Sequence, residues 1–375
     1  MDGVALKMLW GDRGKYLSLV LGLAFAVLLI TQQGSIFLGM MLRSTGLLQN
    51  VGQPDFFVVD PHVRYVMELR ALPDIDLFRV RSVEGVQWAE PLFVAWADVN
   101  LPDGSYRKAH MMGIDRSTMV GQPPEMTEGS LDDLRAPGAV VIEESGREKL
   151  GGVRIGDTLK LNDRRALIVG FFRAKLGFES NILIYTTFDN AKDFTPVGRN
   201  TMSLIMVKVK PNHTPAQVMG NVNQISGVMG VTREQFQWLT FRYIVFETGI
   251  GLNFAVTILL GFIVGLVVSS ATFYQFTVEN LRHFAVLKAI GAKNRVIVRM
   301  ILLQALVVGL VGFGIGVGIA GLFTLTSRHP GAELSAFFPW QLMAASLVAT
   351  IICVGLGSLL SLRRVLTLEP AVVFK

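Results

Sequence analysis

Four long apolar runs separate this sequence from that of an ordinary soluble protein. A helix needs about 20 apolar residues to cross the hydrocarbon core of a bilayer. The runs cover residues 17–42, 244–276, 296–325 and 342–362. Only 17% of the residues are charged, compared with about a quarter in soluble domains, and the deficit lies in these runs. The sequence therefore predicts a membrane protein with four transmembrane helices.

The first run resembles the start of a secretory signal peptide, because three basic residues precede it and residues 24–26 mimic a cleavage site. The apolar core of a signal peptide is about 7–15 residues long. This run continues well beyond that length, so an uncleaved span is predicted and a cleaved signal is the alternative. Residues 1–16 are predicted to form a short helix in the inner membrane interface, with a frayed terminus as the alternative.

The orientation follows from the lysines and arginines, which are concentrated on the cytoplasmic side of membranes. They lie before the first run, between the second and third, and after the fourth: Lys7, Arg13, Lys15, Arg282, Lys288, Lys293, Arg295, Arg299, Arg363, Arg364 and Lys375. The link at 326–341 has only Arg328. Four spans place all three basic segments on one side. We therefore predict a multi-pass membrane protein with both termini, the segment 277–295 and the tail 363–375 in the cytoplasm.

The segment 43–243 has short apolar stretches separated by turn residues, which is typical of a folded domain. Strands are predicted at 55–59, 86–99, 139–142, 158–161, 166–172 and 202–209, and helices at 143–150 and 214–225. This composition indicates an α+β domain. The predicted fold is thus four transmembrane helices in a 1+3 arrangement, with an α+β extracytoplasmic domain inserted between helices 1 and 2.

The extracytoplasmic domain offers no pattern of catalytic or metal-binding residues. His62, His110 and His213 lack metal-ligand spacing, and the acidic pairs Asp132-Asp133 and Glu143-Glu144 are predicted to lie on the surface. The chain has one cysteine, Cys353, so an intramolecular disulfide is excluded. No Gly-x-x-x-x-Gly-Lys-Ser/Thr loop occurs, and we predict that the chain is not an ATPase. The net charge is +6, and the excess of basic residues lies beside the spans. Nucleic-acid binding is therefore not predicted.

The spans contain small-residue patterns rather than charged residues. Gly316-x-Gly318-x-x-Gly321 matches a dinucleotide fingerprint, but no strand precedes it and the match is rejected. Small residues four positions apart let helices approach closely in lipid. The predicted helix-packing residues are Gly261, Gly265, Gly312, Gly314, Gly316 and Gly318. Packing within one chain and packing against a second copy both remain possible.

The segment 277–295 is the most distinctive part of the chain. Leu281, Ala285 and Lys288 share one helical face, Gly291 is suited to end that helix, and Asn294 is suited to cap the next. The sequence predicts two helical pieces that meet at Gly291. A charged loop that only fixes the topology is the alternative.

The motif Leu-Lys-Ala-Ile-Gly-Ala at 287–292 resembles the permeases of the FtsX/MacB superfamily of ABC transporters. Further motifs are similar to the DevC-type branch or to the superfamily's outer core: Thr232–Phe236, Thr248–Gly251, Gly261–Gly265, Tyr274-Gln275, Leu368–Ala371, Val83–Val86, Val141–Gly151 and Gly156-Asp157. The chain lacks the fused ATPase domain of MacB.

This resemblance implies a homodimeric export permease that works by type VII mechanotransmission. ATP and Mg²⁺ would bind a separate ATPase subunit, with no cofactor in this chain. The ATPase would contact Glu279, Arg282, Leu287, Lys288, Gly291, Ala292, Lys293 and Arg295. An adaptor protein and an outer-membrane channel are expected further partners. The alternatives are an FtsX-like regulator of an extracytoplasmic enzyme, a haem exporter and a lipoprotein-release permease.

Overall fold

The computed structural model describes residues 2–11, 13–101, 103–177, 182–195, 201–327 and 336–366. The chain divides into two compact units. The helical unit comprises Met1–Gly39 and Ile250–Lys375, and the sheet unit comprises Met40–Gly249. The predicted tail motif at 368–371 lies outside the described residues, as do half of the loop 326–341 and most of the tail 363–375.

The helices are α1 (Asp2–Gly11), α2 (Arg13–Ser44), α3 (Gly46–Asn50), α4 (Asp74–Arg81), α5 (Glu144–Lys149), α6 (Phe188–Phe194), α7 (Pro215–Val222), α8 (Arg233–Arg242), α9 (Ile250–Glu279), α10 (Leu281–Ala289), α11 (Asn294–Thr326) and α12 (Trp340–Leu366). Four segments of these are long and apolar enough to cross a membrane: Tyr16–Ser44, Ile250–Glu279, Asn294–Thr326 and Trp340–Leu359. They correspond to the four predicted spans.

The start of the second span differs from the prediction at residue 244. Residues Tyr243–Glu247 form a π-helical turn, and α9 begins only at Ile250. Gly249 has φ of 73°, a left-handed conformation that a continuous right-handed helix does not contain. Hydropathy alone did not reveal this break, because Ile244, Val245 and Phe246 are as apolar as the span itself.

Glycines let α2 pack closely within the helical unit. A methyl group placed on Gly316 would lie 2.6 Å from the Ala24 carbonyl oxygen, and one on Gly312 would lie 3.1 Å from Leu23. Gly261 and Gly265 likewise face α2, from α9. In contrast, methyl groups on Gly314 and Gly318 would meet no described atom within 4 Å. The four predicted packing glycines of α11 are therefore divided between two faces of that helix.

Buried polar groups add hydrogen bonds between these helices. Thr31 Oγ1 donates to Ser346 Oγ over 3.0 Å, and Ser35 Oγ lies 3.2 Å from Thr324 Oγ1. Gln304 Nε2 donates to the Ala5 carbonyl over 2.7 Å, so it joins α11 to the N-terminal helix α1. Residues 2–11 are thus helical and packed within the unit, which differs from a frayed terminus.

The strands of the sheet unit are β1 (Phe56–Val59), β2 (Leu72–Pro73), β3 (Val86–Asn100), β4 (Tyr106–Ile114), β5 (Glu125–Gly129), β6 (Ala139–Glu143), β7 (Thr158–Leu161), β8 (Arg164–Arg173), β9 (Leu183–Thr187), β10 (Thr201–Met202), β11 (Leu204–Val209) and β12 (Met229–Val231). The main sheet has the order β12-β1-β11-β3-β4-β9-β6-β8-β5. β7 pairs with both β3 and β8, so six strands close into a ring. Inside the ring lies a core that includes Phe93, Met111 and Ile168.

The sheet unit corrects two details of the sequence analysis. Glu143 is buried at 6% exposure, whereas a surface position was predicted. Its carboxylate accepts a hydrogen bond from the Ser145 backbone N–H and caps α5, while burial raises its pKa. The sequence also gave no strand over Tyr106–Ile114 or Leu183–Thr187, although these form the middle of the sheet.

Candidate functional site

The connecting segment, residues 279–295, joins the two long helices α9 and α11. α9 ends at Glu279, and the Asn280 side chain donates to the Phe276 carbonyl over 2.8 Å. α10 then runs over Leu281–Ala289. The predicted pair of helical pieces is present, and the segment is ordered secondary structure rather than an irregular loop.

A Schellman motif ends α10. The Gly291 N–H donates to the Lys288 carbonyl over 3.0 Å, and the Ala292 N–H donates to the Leu287 carbonyl over 2.9 Å. Gly291 has φ of 96°, which a residue with a side chain adopts only with strain. These bonds fix the turn between α10 and α11, so Leu287, Gly291 and Ala292 hold the shape of the segment.

One face of α10 is anchored. Phe284 and Ala285 are fully buried, and Phe284 packs in a cluster with Ile297, Ile301 and Leu362. The connecting segment is therefore joined to α11 and α12 through an apolar contact.

The opposite face of α10 is exposed and partly apolar. Ile290 is 71% exposed and Val286 is 43% exposed. Basic side chains at Arg282, Lys293 and Arg295 are also exposed. We name Val286 and Ile290 with these three residues the basic–apolar tip. The sequence analysis identified the basic residues but missed Val286 and Ile290. Helical spacing could have indicated their exposure, because they lie on the side of α10 away from the buried Phe284 and Ala285.

Three other predicted residues differ in their setting. Glu279 is exposed and its carboxylate accepts a hydrogen bond from Gln275 at 3.2 Å. Lys288 is half-buried. Asn294 is the first residue of α11, and the cap position is taken by Lys293, whose side chain makes no capping hydrogen bond. The prediction of Asn294 as the cap is wrong by one residue, because the turn after α10 is one residue shorter than expected and α11 begins at Asn294 itself.

A second candidate site lies in the sheet unit, just before the chain enters α9. Tyr65 stacks on Tyr243 with ring centroids 4.4 Å apart and an interplanar angle of 6°. The Arg64 guanidinium lies 5.0 Å from the centre of the Tyr243 ring and 3.8 Å from the Glu247 carboxylate. We name this set the Arg64 clamp.

A buried hydrogen bond extends the clamp to α8. The Val66 N–H donates to Thr240 Oγ1 over 3.1 Å, and Thr240 is fully buried. Residues 64–66 are thus attached both to α8 and to the π-helical turn that follows it. The sequence analysis did not find this site, because its two halves are separated by more than 170 positions along the chain.

The described residues contain no group of three or more His, Cys, Asp or Glu side chains that could hold a metal ion. Burial lowers the pKa of His110 to about 4. The predicted absence of catalytic residues remains a prediction.

Two family models match the chain. The MacB-like periplasmic core domain matches residues 17–225, more than half of the chain, and the FtsX-like permease C-terminal domain matches residues 254–370. The second match contains the connecting segment, and the first contains Arg64 and Tyr65.

Curated relatives match over nearly the whole length. An uncharacterized ABC transporter permease of Mycobacterium bovis is 26% identical over 374 residues, covering 97% of this chain and 96% of the relative. A second, from Mycobacterium tuberculosis, is 25% identical over 367 residues, covering 93% and 95%.

Solved structures match about half of the chain. The periplasmic region of MacB from Actinobacillus actinomycetemcomitans has 14% identity, a TM-score of 0.40, and coverage of 54% of this chain and 96% of that one. The extracellular domain of the transporter YknZ from Gram-positive bacteria has 14% identity, a TM-score of 0.38, and coverage of 47% and 99%. On the family-model matches, this chain belongs to the FtsX/MacB family of ABC transporter permeases, a class that implies a partner ATPase subunit.

Proposed function

We propose that this permease drives export from the cell envelope by mechanotransmission, powered by a separate ATPase subunit that binds ATP and Mg²⁺. The observation that carries this proposal is the basic–apolar tip on an anchored helix. An exposed isoleucine with exposed cations near it along the chain is suited to insert into a pocket on a partner with acidic residues. The burial of Phe284 gives that contact a firm attachment to α11.

The proposed direction of transmission follows the chain. Closure of the ATPase pair would push on α10, and α9 would carry the movement to its first residue, Ile250. The π-helical turn and the Arg64 clamp come immediately before that residue in the chain. Stacked and hydrogen-bonded contacts at Tyr243 and Thr240 would transfer the movement to residues 64–66, and hence to the sheet unit.

The proposal includes a second copy of the chain, and its support is the unused face of α11. Methyl groups on Gly314 and Gly318 would meet no described atom within 4 Å, while Gly312 and Gly316 pack on α2. Small residues on a lipid-exposed face permit close approach of another helix. A DevC-type system with an adaptor protein and an outer-membrane channel, in an inner membrane with both termini cytoplasmic, completes the proposal.

The contact with the ATPase is tested by Ile290→Glu in the full chain, co-expressed with its partner ATPase. Ile155→Glu is a matched control, because Ile155 is an exposed isoleucine of the sheet unit. We expect Ile290→Glu to abolish co-purification of the ATPase and Ile155→Glu to leave it unchanged. Equal recovery of the ATPase with both variants would contradict the proposed contact.

Charge reversal tests the coupling step. In the double variant Lys288→Glu and Arg295→Glu, we expect normal membrane insertion. ATP hydrolysis should continue but should no longer drive transport. Reconstituted vesicles provide the measurement, with thermal unfolding as the check on folding. Unchanged transport and ATPase coupling would refute the role given to these residues.

A further inference from the structure

A gap in strand pairing exposes part of β3. β11 pairs with β3 as far as Leu92, and β7 pairs with it only from Val99 onward. Residues 93–98 pair with β4 on one side. On their other side, no strand among the described residues pairs with them. Open strand edges of this kind carry backbone groups that need partners.

Side chains satisfy both ends of the gap. Ser203 Oγ accepts from the Val94 N–H over 2.8 Å and donates to the Val94 carbonyl over 3.0 Å. At the other end, Asn162 Oδ1 accepts from the Asp98 N–H, and the Asn162 backbone N–H donates to the Asp98 carbonyl, each over 2.9 Å. Ser203 and Asn162 thus each make the two hydrogen bonds that one residue of a neighbouring strand would make.

Trp96 lies midway between these two ends. Alternate residues of a strand direct their backbone groups to the same edge, so Trp96 shares the edge used by Val94 and Asp98. Its cross-strand partner His110 donates its own N–H away from β3, to the Ile182 carbonyl over 3.0 Å. Within the part of the chain that the structure describes, neither a strand nor a side chain bonds to the Trp96 N–H and carbonyl.

A cavity of about 370 Å³ opens at this edge. Met67, Leu69, Phe93 and Met202 contribute apolar walls, and Trp96 and His110 contribute aromatic rings whose centroids are 3.8 Å apart. The residues lining the cavity include no Asp, Glu, Lys or Arg within the described ranges. Because burial lowers the pKa of His110 to about 4, its ring is neutral at neutral pH.

We propose that this cavity binds a neutral, mainly apolar small molecule that carries an amide or a similar donor–acceptor pair. The cavity size is within the range of about 300–1,000 Å³ found for small-molecule sites. A charged ligand would lose its hydration without gaining a counter-charge. An added peptide strand would find only one open backbone unit, since Ser203 and Asn162 occupy the positions on either side.

The cavity is also connected to the Arg64 clamp. Met67, Leu69 and Ala71 line the cavity and lie in the same segment as Arg64, Tyr65 and Val66. A bound molecule would restrain that segment, and movement of the clamp would alter the cavity. This role rests on the proposed export function, in which the ligand represents the class of exported molecule.

Binding is tested on the full chain in lipid nanodiscs, without the ATPase. The five tryptophans, at 10, 88, 96, 238 and 340, are replaced biosynthetically by 5-fluorotryptophan and followed by ¹⁹F NMR. The probes are 6-phenylhexanamide, a primary amide whose N–H and carbonyl lie on the same side, its ester counterpart methyl 6-phenylhexanoate, and the carboxylate 6-phenylhexanoate. We expect the amide to shift the Trp96 resonance saturably, and the ester to bind about tenfold more weakly because it lacks the donor. No Trp96 shift with the amide, or equal shifts of all tryptophans from partitioning into lipid, would overturn the proposal. Equal or tighter binding of the carboxylate would also overturn it.

A filling substitution provides the matched pair. Ala71 lines the cavity and is exposed, so Ala71→Leu fills space without disturbing the core. Ala216→Leu is the control, on an exposed position of α7. Thermal unfolding verifies that both variants fold. Ala71→Leu should weaken binding of the amide about tenfold or more, and unaltered affinity would overturn the site. Since no ATPase is present, failure here leaves the export proposal intact, and failure of ATPase binding leaves the cavity proposal intact.

Discussion

The stacked pair of the Arg64 clamp should behave as an energetically coupled unit. Tyr65 and Tyr243 are both half-buried, and their rings stack with centroids 4.4 Å apart. Stacked aromatic pairs contribute about 0.5–1.5 kcal/mol beyond the area they bury. We therefore expect Tyr65→Ala and Tyr243→Ala to be non-additive, with a coupling free energy of about 1 kcal/mol in a double-mutant cycle.

The assay is amide hydrogen exchange of the full chain, followed over residues 64–68 and 240–247. A coupling of about 1 kcal/mol corresponds to roughly a fivefold change in local opening. Trp238 and Phe241 provide the control, because their rings stack at 5.3 Å within α8. Phe241→Ala should leave exchange over 64–68 unchanged. Additive effects of the two tyrosine substitutions, within about 0.3 kcal/mol, would refute the clamp.

Three further predictions concern single sites. Gly291→Ala should destabilise the connecting segment by about 1 kcal/mol because of its positive φ, whereas Gly220→Ala, in an open helical position of α7, should be neutral or stabilising in thermal unfolding. Thr240→Val should cost about 1–2 kcal/mol of unfolding free energy, since it leaves the buried Val66 N–H without its partner. Burial gives His110 a folded-state pKa of about 4, below the ordinary value of 6.5, so its neutral form is favoured in the folded state. Its contribution is complete above pH 6.5 and should be lost as the pH falls toward 4, by up to about 3 kcal/mol relative to His110→Asn. The free energy of unfolding is measured against pH for the wild-type chain and for His110→Asn. The same pH dependence in both proteins would contradict this prediction.

The sequence predicted the features that depend on neighbouring residues and on the bilayer. Lipid requires long apolar helices, so the four spans were visible in hydropathy alone. The end of α10 at Gly291 was predicted, because the end of a helix is encoded locally. Glu143 was misread because an acidic residue beside Glu144 suggested a surface, whereas its position before Ser145 at a strand–helix junction makes it a cap.

Features that join distant parts of the chain were not predictable in this way. The Arg64 clamp joins residues 64–66 to 240–247, and neither half has an unusual pattern by itself. The gap at Trp96 depends on where β11 ends and β7 begins, which no local signal reports. The glycines of α11 show the same limit, because their four-residue spacing did not reveal that Gly316 packs on α2 while Gly314 does not.

The central claim is that the ATPase moves the π-helical turn of the sheet unit, Tyr243–Glu247, through α10 and α9. A spin label at Phe246, which is 73% exposed in the π-helical turn, reports on this directly in a Cys353→Ser background. With the ATPase bound, we predict that trapping the hydrolysis transition state changes the mobility of the label, and that adding the Lys288→Glu and Arg295→Glu pair removes the change. Identical spectra in the nucleotide-free and trapped states, with the ATPase still bound, would contradict the account.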